Sequence, residues 1–198
     1  MQVHHFIAAL WVAAEETPYP EGPYFKTLAL SGGRPLNVAR MRWPDVDLER
    51  RAWTFVDGKS ELRTAVPLAD ETVSLLQNLR NARAYQGDFV FSSAHGRLPL
   101  RSPTQTVAAL RRLGPHLAEE SARELGRPWH LYDVRRVVRI TLAQFDSPDV
   151  ADVAVGRGGW NRSLVELGPA SCWDRARAAL DAWARALKDA AASVKAPQ

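Results

Sequence analysis

Two short β-prone runs, Ala52 to Val56 and Leu62 to Val66, interrupt a chain whose apolar residues otherwise recur at helical spacing. Asp57-Gly58-Lys59-Ser60-Glu61 separates them, which reads as a hairpin with a glycine-containing loop and a lysine near its tip. On either side the period is that of helices. Phe6, Ile7, Leu10, Trp11 and Ala14 lie at helical spacing within residues 2–15, and Thr17 to Pro23, with three prolines and a glycine, is expected to stop that helix. Residues 24–43 form a second helical region broken at Ser31-Gly32-Gly33, with Pro35 suited to a first turn. Further helices are predicted at about 70–85, 103–124, 133–145, 148–155 and 173–192, with an extended piece at Phe89 to Phe91. The fold class that follows is mainly α with a small antiparallel β-sheet (α+β).

Composition narrows the function classes. A chain of 198 residues that is 46% hydrophobic and 24% charged suits one soluble domain with a real core, and excludes collagenous, disordered and membrane-spanning classes. The longest nearly uncharged apolar run, Phe6 to Ala14, is too short to cross a bilayer, and no basic residue precedes it as in a secretory leader. A cytoplasmic location with no membrane partner is expected. The lone Cys172 can form neither an intramolecular disulfide nor a multi-cysteine zinc site, and the adjacent His4 and His5 point to different sides of a helix, so no metal is expected.

Charge is unevenly placed. Residues 101–139 carry eight arginines (101, 111, 112, 123, 127, 135, 136, 139) against four acids, whereas the segments on either side balance. Arginine forks pair bidentately with phosphate, so this surplus favours a polyanionic partner, with a solvated basic face as the alternative. Three positions stand out. Arg34 follows Gly32-Gly33 at a helix start, where amides and the helix dipole already favour an anion; the alternative is a solvent-facing side chain beside a tight turn. Lys59 is either a solubilising turn residue or a mobile proton donor. On the helix near Asp133, residues Val134, Val137, Val138 and Leu142 form an apolar face. Arg135 and Arg139 are left together on another, at i and i+4, with no intervening acid.

In this order the residues resemble a known pattern. Leu30-Ser-Gly-Gly-Arg-Pro-Leu-Asn-Val-Ala-Arg-Met-Arg-Trp-Pro-Asp-Val-Asp47 resembles the first box of the tyrosine recombinases, the phage-integrase family, and places Arg34 on the first catalytic arginine. Lys59, seven residues before Val66-Pro67-Leu68, resembles the family's hairpin lysine. Tyr132-Asp-Val-Arg-Arg136 resembles the second box and places Arg135 on the second catalytic arginine. The resemblance covers roughly residues 24–190. It implies a tyrosine-recombinase catalytic-domain-like fold acting in DNA recombination and integration, by phosphodiester transesterification on duplex DNA without metal or nucleotide cofactor. Arg34 and Arg135 would then hold the scissile phosphate, and Lys59 would protonate the leaving oxygen.

At four positions the chain departs from that pattern. Trp173, in Trp173-Asp174-Arg175, stands where the nucleophilic tyrosine is expected, and an indole has no ionisable oxygen. Tyr132 and Arg157 replace two imidazoles, and Asn37 replaces an acid three residues after Arg34. Tyr132 can still donate to a phosphate oxygen and Arg157 adds a guanidinium, so the expected interface is Arg34, Lys59, Arg135, Arg136, Arg139 and Arg157. His130, Ser171 and Cys172 are candidate substitutes for the missing groups. For Trp173 the alternative is a core anchor, continuing a stripe through Ala176, Leu180, Trp183 and Leu187.

The expected organisation is one integrase-catalytic-like domain over 1–198. It divides into an N-terminal helix and Pro-rich linker (1–23), core and C-terminal helix (24–192) and tail (193–198), with no N-terminal core-binding domain. Weak, salt-dependent duplex binding without cleavage is the expected activity, as in a degenerate member of a mobile element. Two alternatives stay open: a strand-transfer enzyme with a substituted nucleophile, and a protein-interaction module that kept the fold. The C-terminal stripe either supports self-association or folds back onto its own core.

Overall fold

In the computed structural model, which describes residues 5–56, 63–82, 87–92, 94–100, 115–157 and 171–195, the N-terminal spacing becomes helix α1 (His5–Glu15). It is buried on most of its surface, because α2 (Glu21–Ser31), α5 (Pro115–Leu125) and the C-terminal helix α8 (Cys172–Lys195) all pack around it. Helix α2 begins at Glu21, inside the segment expected to exclude a helix. Pro23 therefore sits in a first turn, where backbone amides have no intrahelical acceptor to lose. The prolines stop α1 and start α2 within a few residues. Gly32 closes α2 in the left-handed conformation, and the short α3 (Pro35–Ala39) follows with Pro35 in its first turn.

The predicted hairpin is present as β2 (Ala52–Val56) and β3 (Arg63–Pro67), paired antiparallel with Trp53 opposite Val66 and Phe55 opposite Thr64. Thr64 and Val66 are buried in alternation, and Ala52 and Trp53 are buried on the partner strand. A third strand, β1 (Val46–Asp47), adds to the free edge of β2, giving the order β1-β2-β3. Two residues after a Trp43–Asp45 3-10 turn are too few to carry a period-2 signal, so this strand was invisible in the sequence. The extended piece near Phe89 appears as a bridge from Phe89 to Arg42.

Helix α4 (Asp70–Ala82), α5, α6 (Leu131–Phe145) and α7 (Pro148–Val155) fall where the periodicity placed helices. Residues 83–86 and 101–114, the remainder of two of those predictions, lie outside the described residues. The core is aromatic-rich. Tyr24 meets Phe25 and Phe91 edge-on at 5.0 and 5.9 Å between ring centroids, and Phe25 meets Trp129 in the same way.

The stripe of α8 folds back onto its own core. Trp173, Ala176, Leu180, Trp183 and Leu187 are all buried against their own chain, and Trp183 Nε1 donates to Ala29 O at 2.8 Å. Each buried large side chain contributes about 1.5–3 kcal/mol, so packing this face onto the chain's own core stabilises the fold. Asp181 fixes the helix from its other side: one carboxylate oxygen accepts from the Asp70 amide at the start of α4, and the other from Arg51 at 2.7 Å.

Candidate functional site

The start of α6 is set by charge. The Asp133 carboxylate accepts a bidentate pair from Arg127 at 2.8 and 2.9 Å and a third hydrogen bond from the His130 amide at 2.7 Å. Burial pushes this carboxyl up, but the Arg127 pair and the His130 amide outweigh it and hold Asp133 below the usual carboxylate range. The helix therefore begins two residues earlier than its apolar face suggests, at Leu131, with His130 exposed at its N-terminal cap. His130 does not line the pocket described next.

One helical turn further, Arg135 turns inward. Its Nη1 donates to Gly32 O at 2.9 Å and to Val155 O at 2.7 Å, so it is clasped between the C-terminal ends of α2 and α7. Helix C-termini carry partial negative charge, which suits a cation. Both ends close on a left-handed glycine, and both glycines are spatially required. A Cβ on Gly32 would sit 2.8 Å from Val138 Cγ1, and one on Gly156 would sit 2.9 Å from both Phe55 and Val66. The first packs α2 onto α6; the second packs α7 onto the sheet. Arg34, just before α3, reaches the same helix end, with Nη1 donating to Gly156 O at 3.2 Å. Arg157 is the next residue in the chain and is exposed.

Arg34, Arg135 and Arg157 thus come from three separate stretches onto one open pocket of about 440 Å³. Burial, then the neighbouring Arg34 and Arg157, draw the Arg135 guanidinium down to about 10, with Asp152 and Tyr132 opposing. A cation destabilised by its own neighbours is poised for an anion. Arg136 and Arg139 also line the pocket. Arg139 is not free of acids, however: α7 supplies Asp152, which pairs with its Nε. That corrects the expectation of two unopposed arginines on α6. The acid lies on another helix, where spacing along α6 could not reveal it.

Tyr132 and Ile140 complete the lining. Tyr132 was expected at the site; Ile140 was missed, although it follows Arg136 at i+4 on the same helix face. The helix-start argument for Arg34 carries less than expected, because α3 has only five residues. Lys59, in 57–62, lies outside the described residues. Trp173 is only 6% exposed, packed in the core, and is not part of the pocket lining. Ser171 precedes α8, donates to the Asp174 carboxylate at 2.8 Å and accepts from its amide at 3.2 Å, which is a helix-cap role. Among the described residues no group of three His, Cys, Asp or Glu is placed to hold a metal ion, and no helix is long and apolar enough to cross a membrane.

No curated protein matches the sequence. Among solved structures, the chain is similar to a lambda integrase tetramer bound to a Holliday junction, with TM-score 0.55 and 17% identity over 78% of this chain and 46% of that one. It is similar to a lambda integrase(75-356) dimer bound to a COC′ core site, with TM-score 0.57 and 16% identity over 85% and 61%. It is also similar to XerA recombinase, with TM-score 0.55 and 18% identity over 97% and 62%. At these identities the likeness is one of fold, and the chain spans less than two thirds of each. The phage integrase family profile matches residues 4–153, a segment that contains Arg34, Tyr132 and Arg135 and stops short of Arg157 and Trp173. With three quarters of its length matched, the chain belongs to the phage integrase family.

Proposed function

We propose that this chain binds the phosphate backbone of duplex DNA through Arg34, Arg135 and Arg157, with Arg136, Arg139 and Lys59 as further contacts, and that it does not cleave the strand through a C-terminal tyrosine. The observation that carries the reading is the convergence of three guanidinium groups on one pocket, with Arg135 held by backbone carbonyls rather than by a carboxylate. Carbonyls orient the fork without cancelling its charge, so the charge remains available to an anion. Both lambda integrase structures with the same fold are bound to DNA, which supports the choice of anion.

The second half of the proposal rests on Trp173. Its indole is buried and cannot form a phosphoester. Other hydroxyls are engaged elsewhere: Tyr19 with Val90 O and the Ser92 amide, Tyr24 with Pro35 O, and Ser171 with Asp174. The Tyr24 phenol is moreover pushed up, first by burial and then by Tyr132, which disfavours its ionised form.

Incubation with duplex DNA carrying a nick that traps covalent intermediates tests both halves. A reversible mobility shift that weakens from about 50 to 200 mM salt, with no covalent band on a denaturing gel, is the expected result. A covalent band would restore the enzyme reading. Absence of any shift would leave the fold without its DNA.

A further inference from the structure

A pocket that received phosphate alone would have little use for apolar walls. Yet Tyr132, 64% exposed, and Ile140, 42% exposed, face solvent on α6 beside the arginines, with Arg136 between them at four-residue steps. These two are among the few large apolar side chains left exposed among the described residues. Their contrast with Tyr24 is direct: that ring is enclosed by Phe25 and Phe91 and its hydroxyl donates to Pro35 O, whereas the Tyr132 hydroxyl makes no hydrogen bond among the described residues. At about 440 Å³ the pocket falls within the range of about 300–1,000 Å³ that accommodates organic ligands rather than single ions.

We infer that Tyr132 and Ile140 form the seat of an unpaired nucleobase lying next to the phosphate that the arginines hold, an inference that rests on the DNA-binding reading above. An exposed aromatic ring flanked by guanidinium groups is the platform on which bases stack in single-strand binding sites, and the arginines supply the matching charge for the adjoining backbone. A base inside an intact duplex already has both faces covered by its neighbours. To reach Tyr132 it must be unstacked at a cost of a few kcal/mol, which a gap, a bulge or a single strand removes. The site therefore prefers DNA with an unpaired base over the same sequence fully paired.

Fluorescence anisotropy at low salt with three DNAs of one sequence tests this: an intact duplex, a duplex with one bulged 2-aminopurine, and the single strand. The wild-type chain is expected to bind the bulged and single-stranded forms more tightly than the duplex and to quench the 2-aminopurine. Y132A is expected to lose about fivefold or more in affinity for the two unpaired forms and to lose the quenching, a larger loss than it shows on the intact duplex. Y132F, which keeps the ring, is expected to behave as wild type. Equal loss in Y132F and Y132A would assign the effect to the hydroxyl and overturn the base seat, as would unchanged binding in Y132A. Arg135→Ala separates the two readings. Loss on all three DNAs in that variant, without any dependence on Tyr132, sinks the base seat and leaves the phosphate site; no binding of any DNA by the wild type removes both. Tyr132 is exposed, so circular dichroism of its variants is expected to match wild type.

Discussion

The pocket at the start of α6 and the first turn of α8 are brought together by the resemblance to tyrosine recombinases as parts of one site, yet the chain treats them in opposite ways. In the pocket, charge is kept although it is costly: Arg135 is partly buried beside two other arginines and is held by carbonyls from two helix ends. At α8 the corresponding side chain is an indole sunk into the core, with its neighbours Ser171 and Asp174 spent on capping the helix. Packing alone explains the second region. It does not explain the first, since three arginines drawn together lower stability beyond what Asp152 offsets unless something external answers them. The contrast teaches that the two regions are built on different terms: one keeps charge gathered at a pocket, the other gives its side chain to the core.

The largest expected effect lies on the packed side. Trp173→Ala removes a buried aromatic and is expected to cost about 3–5 kcal/mol in urea unfolding, while leaving the arginines of the pocket in place. A neutral result would break the claim that Trp173 serves the core. Next comes Gly32→Ala, which forces a side chain into a left-handed position and against Val138; about 1–3 kcal/mol of stability is expected to go, and DNA affinity with it, because Gly32 O is one of the two anchors of Arg135. Stability lost with affinity intact would uncouple the anchor from the site.

On the charged side, Arg135→Ala is expected to weaken duplex binding at least tenfold and to make the salt dependence shallower by about one unit of slope. Without DNA, the lowered Arg135 value has a consequence of its own. Above about 10, and up to the ordinary arginine value, the unfolded chain binds this proton and the folded chain does not, so stability rises with pH there. At neutral pH both states hold it and the buried charge is a standing penalty. Sulfate is therefore expected to raise the melting temperature of the wild type more than that of Arg135→Ala, measured by calorimetry at fixed ionic strength.

The smallest effect is at the helix start. Asp133 is held below the usual carboxylate range in the folded chain, so its contribution is complete above the unfolded value of about 4 and disappears as pH falls through the folded one. Asp133→Asn is expected to flatten that acid limb of the stability profile and to leave the pocket's DNA affinity near wild type. Equal acid sensitivity in both would remove Asp133 from the account.

Much of this was legible in the sequence because it is written in periods. The hairpin and helices α4, α6, α7 and α8 follow from spacing, and the Gly-Gly-Arg turn marked Arg34 and the end of α2. What spacing cannot show is a partner on another element. The pairing of Asp152 with Arg139, the carbonyls of Gly32 and Val155 on Arg135, and the clasp of Asp181 on Arg51 and α4 join residues up to 130 positions apart. A two-residue strand such as β1 is likewise too short to announce itself. The start of α2 is hidden in the sequence because its prolines signal a stop, whereas in a first turn proline costs nothing.

The embrace of α1 by α8 bears on how the chain is made. Phe6, Ile7, Leu10 and Trp11 leave the ribosome well before one of the surfaces that covers them, which belongs to Cys172–Lys195. At about 5–20 residues per second, roughly 10–30 s pass between the synthesis of the two. Through that interval α1 stays incompletely covered, and its packing is completed only once α8 has emerged. A nascent chain stalled before residue 172 would present the apolar residues of α1 to chaperones, a surface that α8 covers once it is made.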